Sequence, residues 1–272
     1  MSHAIPGDLY CAARHEGEAI VSFSNVYDDA KRAEAYSALE FPGTYYLAYR
    51  DLPAIIAEYV TGRKALDFGC GAGRSTRFLK KLGFDASGVD ISSSMIQLAR
   101  NADPCGTYQL VDDGDFSAFE PAQFDLVLSA FAFDNIPDVA KRCELLRGLR
   151  RLLNSNGHIV LLGSTPDIYM HEWASFTTRD FPENRGAKSG DKVRIVMKDV
   201  ADGRPVVDLI WFHDDYLKLF AASELDPVGY YTPLGRKDEP YEWLSETSIA
   251  PWVIYVSLAT DASLRCTSTS SA

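Results

Sequence analysis

Leu66-Asp67-Phe68-Gly69-Cys70-Gly71-Ala72-Gly73 is the stretch that decides the fold. A short apolar strand runs into three alternate glycines and then into Ser75-Thr76-Arg77-Phe78-Leu79-Lys80-Lys81, which has the composition of a helix. That order brings main chain close to a bound ligand, because no Cβ blocks the approach. The spacing differs from the dinucleotide fingerprint GxGxxG, since Thr76 occupies or adjoins the place of its third glycine. Asp67 at the strand end would repel a pyrophosphate and favours a cationic or hydrogen-bond-donating ligand.

Downstream the chain alternates strand and helix. Residues 84–90 read as a second strand, Ser92 caps a helix through Met95, Ile96 and Leu98, 107–111 read as a third strand and 124–129 as a fourth. A helix over 140–153 and a fifth strand over 158–163 follow, the latter after the turn Asn154-Ser155-Asn156-Gly157. Such alternation predicts a parallel sheet with right-handed crossovers. Asp90 ends the second strand one βα unit after the glycine loop, where open sheets bind ligands and a carboxylate can accept both ribose hydroxyl protons.

The run DFGCGAG, with Asp90 in order behind it, resembles motif I and its sequel in the class I S-adenosylmethionine-dependent methyltransferases. The resemblance spans roughly 27–258. It implies a Rossmann-like, doubly wound α/β sheet of seven strands with an antiparallel last strand, and S-adenosylmethionine as cofactor, held by Asp67, Gly69, Cys70, Gly71, Asp90, Ile91 and Ser129. In the family an acid and an apolar neighbour after the third strand read the adenine. Asp115 and Phe116 fit that role, and Asp113 competes, because Asp112, Asp113 and Asp115 crowd one loop. A leading helical segment lies over the cofactor as a lid in the family, which makes Tyr27, Tyr36 and Arg50 candidates for gripping the cofactor carboxylate or closing the site. Where family members carry His-His before a Pro-Asp, this chain has Asp134-Asn135, which removes an imidazole base but leaves two side chains that accept hydrogen bonds.

Two helices, over 26–36 and 44–59, are expected before the first strand, the second from apolar residues at helical spacing. After Ser164 the alternation breaks. Residues 192–198 and 206–212 flank Asp202-Gly203, a hairpin signal, so 164–212 read as a cap insertion before a last helix over 214–223 and strands over 227–232 and 252–258. Tyr169, Trp173, Phe176, Arg179 and Trp211 are candidates for lining the acceptor pocket, although aromatic rings are also what a core would take. The organisation expected is an arm over 1–25, a cofactor-binding domain over 26–260 with the lid at 26–60, and a low-complexity tail over 261–272.

Composition narrows the partners. The 272 residues carry 27 Lys plus Arg against 38 Asp plus Glu, a formal charge of -11, which disfavours nucleic acid and other polyanions. The five cysteines lack CxxC spacing, so no metal is expected. No apolar run is long enough to span a bilayer, and the N-terminal residues do not alternate charge and apolar blocks as a leader would, which points to a soluble, cytoplasmic protein. The function expected is methyl transfer to a small-molecule acceptor, with Asp134, Asn135 and Tyr169 orienting or deprotonating it. Two alternatives stand beside it: a cyclase or lyase of the same fold that closes the cofactor's aminobutyrate chain and releases methylthioadenosine, and a non-catalytic protein that binds the cofactor for stability.

Overall fold

The structure is a computed structural model that describes residues 42–200 and 203–259. Strands β1 (Lys64–Phe68), β2 (Asp85–Asp90), β3 (Thr107–Leu110), β4 (Phe124–Ala130), β5 (Leu153–Ser164), β9 (Leu225–Tyr231) and β10 (Trp252–Ala259) form one sheet in the order β3-β2-β1-β4-β5-β10-β9. The pairings among β3, β2, β1, β4 and β5 are parallel, and β10 runs antiparallel to both neighbours. The order reverses between β1 and β4, which places the ligand crevice at the carboxyl ends of those strands.

The sheet is buried on both faces. Leu126, Leu128, Val160, Leu162 and Ile254 pack with α1 (Thr44–Arg50), α2 (Leu52–Tyr59) and Leu79 of α3 (Arg74–Lys81). Val127, Ile159, Leu161 and Val253 point the other way, to α5 (Val139–Leu152) and α6 (His213–Ala222). On α4 (Ser93–Ala102), Ile96 and Ala99 pack against Tyr108, and Ser92 Oγ caps the helix by accepting from Met95 N at 3.4 Å.

The single helix expected over 44–59 is two. Apolar spacing continues across the junction, but Pro53 lacks the N–H that a continuous helix needs and its ring would crowd the carbonyl one turn back, so the chain restarts after Asp51. Leu47, Ala48 and Leu52 are fully buried, so the described part of the expected lid belongs to the core. The expected 26–36 helix lies outside the described residues.

The insertion carries β6 (Phe176–Thr177), β7 (Lys192–Met197) and β8 (Val206–Leu209), a small antiparallel sheet in which Ile195 pairs with Val206. It is pinned to the main body through Glu246, which is fully buried: Oε1 accepts from Thr44 Oγ1 and Ala174 N, both at 2.7 Å, and Oε2 from Leu244 N at 2.9 Å. Among the described residues, no helix is long and apolar enough to cross a membrane.

Candidate active site

Beyond β1 the loop residues Gly69, Gly71 and Gly73 all take positive φ, at 72°, 52° and 79°. A Cβ on Gly69 would stand 2.2 Å from Ala132 Cβ, so the loop after β4 sits directly on the glycine loop. At Gly71 nothing lies within 4 Å of the same position, which leaves an open cradle. Gly71 N donates to Asp90 Oδ2 and Ser92 N to Asp90 Oδ1, each at 2.8 Å. The carboxylate is thereby fixed at the rim of the cradle, and each oxygen keeps a lone pair for a further donor such as a ribose hydroxyl.

Asp67 is fully buried. Its Oδ2 accepts from Ser75 Oγ at 2.7 Å and Thr76 Oγ1 at 2.6 Å, while Oδ1 has no partner among the described residues. Thr76, which breaks the dinucleotide spacing, therefore works here as a holder of the acid. Burial pushes the Asp67 carboxyl up to about 6, against the two hydroxyls and with the help of the Asp90 charge. Burial and the same two acids push the Cys70 thiol up, so it is not a nucleophile at neutral pH. An orphaned buried carboxylate oxygen, an open glycine cradle and a rim carboxylate suit a ligand with an ammonium, a sulfonium and a ribose diol.

A pH dependence follows. A cation beside Asp67 favours its ionised form and lowers its pKa, so cofactor binding near pH 6 releases a proton and affinity falls as pH drops through about 6. For the protein without ligand the sign is opposite. The folded pKa lies above the unfolded one, so the Asp67 contribution to stability is greatest below about 4 and declines as pH rises through about 6. Calorimetric titration near pH 6 in two buffers of different ionisation enthalpy measures the proton released, and a flat affinity across the range would refute the assignment.

Beside Asp90, Ile91 and Leu110 are 44% and 48% exposed, and Leu110 pairs with Asp90 across β2 and β3. Two bare apolar side chains flanking Asp90 offer a face for a flat base. The Phe116 ring is buried against Phe68, centroids 6.0 Å apart, and beneath Gly148, which leaves its main chain as the part that could read the adenine edge. Asp115 is exposed and accepts from Ser117 N at 2.8 Å, and Asp113 lies 3.6 Å from Lys141 Nζ. In sequence Leu110 reads as strand interior, with nothing local to mark its exposure.

Of the lid candidates, Tyr27 and Tyr36 lie outside the described residues. Arg50 is spent elsewhere: it donates to Asp51 at 2.9 and 2.7 Å, to Glu239 at 2.6 Å and to Leu234 O at 3.0 Å, pairings that push its pKa up further. A grip on the cofactor carboxylate would have to compete with these partners. The side chains of α1 that approach the glycine-loop helix are Tyr45 and Tyr49, whose rings lie under the Arg74 guanidinium at 5.2 and 5.6 Å. Tyr45 also packs on Phe131, Phe176 and Trp252 at 5.6, 5.2 and 5.5 Å, a wall of aromatic rings beside the loop after β4. Phe131 itself holds φ at 60°, a strained backbone for a residue with a Cβ, of the kind that concentrates at functional sites.

The expected catalytic residues separate. Asp134 is buried and turned away from the glycine loop: it accepts from Tyr216 OH, and from Ser164 N at 2.7 Å, while its carbonyl accepts from Trp211 Nε1 at 2.9 Å. Burial pushes its carboxyl up, opposed by Tyr216, Ser164 and the Arg142 charge. Asn135 donates through Nδ2 to Phe131 O at 3.3 Å, which leaves its Oδ1 as an acceptor. Tyr169 is buried with its hydroxyl on Asp208 Oδ2 at 3.3 Å, and burial holds its pKa well up. Ser129 on β4 is buried with Oγ unpartnered among the described residues. Within the insertion, Trp173 is fully buried and Arg179 exposed, and Trp211 lines the cavity described below.

Comparison with known proteins agrees with this geometry. Residues 66–161 match the family described as a methyltransferase domain. Over 210 residues the chain is 28% identical to N-demethylindolmycin N-methyltransferase of Streptomyces griseus, covering 74% of this chain and 88% of that enzyme. It is 28% identical over 134 residues to a ubiquinone biosynthesis O-methyltransferase of Thiobacillus denitrificans, a match that spans 48% of each chain. In structure it is similar to the CcbJ methyltransferase of Streptomyces caelestis, with a TM-score of 0.59 at 16% identity over 84% of this chain and 96% of that one. In its glycine cradle, its two acids, its strand order and these matches the chain is similar to the class I S-adenosylmethionine-dependent methyltransferases, and the likeness implies S-adenosylmethionine as its cofactor.

Proposed function

We propose that this methyltransferase acts on a small-molecule acceptor that approaches from the side of the loop after β4. The observation that supports the reading is the contact of Ala132 with Gly69, which brings the loop that carries Phe131 and Asn135 against the glycine loop. In this arrangement Asp67 and Asp90 hold the cofactor, the open Cα of Gly71 lets it approach, and Ile91 and Leu110 flank its base. When bound, the cofactor supplies an electrophilic methyl group on a sulfonium. The protein then needs to align a nucleophile and exclude water, and proximity supplies most of the rate. The Asn135 carbonyl oxygen is placed to accept a proton-bearing group of the acceptor. Asp134, tied to Tyr216 and Ser164, fixes the turn that carries Asn135. The relatives that bear names act on small molecules, and the chain's acidic balance speaks against a polyanionic acceptor.

The experiment is incubation of the purified protein with S-adenosylmethionine, alone and with a panel of small amines and phenols, followed by mass spectrometry. Turnover is expected only with an acceptor, and the product S-adenosylhomocysteine. Steady release of methylthioadenosine from the cofactor alone would overturn methyl transfer in favour of self-cyclisation.

A further inference from the structure

Past the carboxyl end of β5, between the start of β10, the end of β9 and the first turn of α6, lies a cavity of about 310 Å³. Its size falls at the lower end of the range for small-molecule sites, about 300 to 1,000 Å³. Trp211, Tyr216, Tyr230, Tyr255 and His213 line it, with Asp167 among the polar groups. The rings brace one another. His213 stacks on Tyr255 at 5.7 Å and 11°, with Nδ1 3.0 Å from the Tyr255 hydroxyl, and lies 4.6 Å from Tyr230. Tyr216 stacks on Tyr255 at 4.8 Å. Tyr230 is 52% exposed, a large ring that the protein leaves half uncovered at this site.

Behind the rings sits a buried cation. Arg142 is 1% exposed, its guanidinium 4.0 Å from the Trp211 ring and 4.9 Å from Tyr216, and its Nε and Nη2 have no hydrogen-bond partner among the described residues. A fixed positive charge against one face of a ring draws its quadrupole and weakens the attraction of a second cation to that ring. An anion is disfavoured by Asp167 on the wall and by Asp134 bonded to Tyr216. What remains is a neutral, planar, aromatic molecule with a donor for Asp167, and offset or edge contacts among rings suit it. The cavity is also joined to the cofactor side. Ser164 and Tyr216 line it and both hydrogen-bond Asp134, and the same turn rests through Ala132 on Gly69.

We infer that this cavity binds the neutral aromatic body of the methyl acceptor, with Tyr216 and Asp134 linking its occupancy to the loop that borders the cofactor. The inference rests on the methyl-transfer reading and adds to it the site and the chemical class of the acceptor.

The test uses the whole chain saturated with S-adenosylhomocysteine and three probes followed by ligand-observed magnetic resonance: indole, tetramethylammonium and benzoate. Indole is expected to bind and the two ions not to. Tyr230→Ala, at a half-exposed ring, is expected to weaken indole about tenfold, and Ser248→Trp, at an exposed position on the rim, to block it by filling the cavity. Both variants should keep the S-adenosylhomocysteine affinity of the parent. Indole binding unchanged in both variants, no indole binding in the parent, or tighter binding of either ion would overturn the inference. Failure of S-adenosylhomocysteine itself to bind would count against the cofactor assignment, and so separates the two.

Discussion

Asp90→Ala is expected to lower affinity for S-adenosylmethionine by about ten- to a hundredfold in a protein that stays folded. The carboxylate stands at the end of β2, accepting from Gly71 N and Ser92 N at 2.8 Å, and burial pushes its pKa up. Hydrogen bonds to a charged group contribute roughly 1.5 to 3 kcal/mol each, about a factor of ten or more in affinity. The alanine loses the bonds to the ribose diol and also releases Gly71 N, so the cradle itself loosens. Asp90→Asn keeps the shape and one acceptor but not the charge, and should fall between. Folding should survive because the strand and core contacts are untouched and Gly71, one of the two groups released, lies beside open space. Titration calorimetry on both variants, with circular dichroism as the folding control, decides it. Parent-like affinity in a folded Asp90→Ala would remove Asp90 from the site.

Glu246→Ala should be the most destabilising single change at the insertion. Three donors from three parts of the chain converge on this buried carboxylate: Thr44 at the start of α1, Ala174 in the insertion and Leu244 before β10. Thr44 is itself locked in place, with N donating to Ser175 Oγ at 2.9 Å, Oγ1 accepting from Ser175 N at 3.0 Å, and its carbonyl accepting from Trp252 Nε1 at 2.7 Å. Truncation leaves the buried Thr44 hydroxyl without its acceptor, strips the part-buried Ala174 and Leu244 N–H groups of theirs, and opens a void. At about 1 to 3 kcal/mol for the buried hydroxyl, with a smaller loss from the part-buried N–H groups and a further loss from the void, the total is roughly 2 kcal/mol or more. For a chain of this size each kcal/mol moves the thermal midpoint by about 2 to 4 °C. Glu246→Gln keeps one carbonyl oxygen for Thr44 and Ala174 and should lose less. In a cycle with Thr44→Val the double variant should lose less than the sum, because the two removals share a partner. Thermal denaturation followed by circular dichroism measures all of this, and an Ala variant as stable as the parent would show that the carboxylate pins nothing.

The sheet was written in the chain itself. Buried parallel strands read as short apolar runs, crossover helices separate them, and the alternation from Leu66 to Gly163 leaves few topologies. The glycine cradle was equally legible, because positive φ at alternate positions admits little but glycine, and so were Asp67 and Asp90, because a strand end fixes where its last side chain stands. What the sequence left open were the partners of side chains whose contacts lie far along the chain. Arg50 read as a carboxylate grip until folding delivered Glu239 to it from 189 residues away, and Asp134 read as a free acid until α6 brought Tyr216 from 82 residues away. In the crowded loop over 112–116 no periodicity could say which side chain turned inward, and packing against Phe68 claimed Phe116 while leaving Leu110 bare. The cavity over Trp211 and Tyr230 has no local signature at all. Its walls come from five separate stretches between Ser164 and Tyr255, and only the packing of α6 against β9 and β10 sets them facing one another.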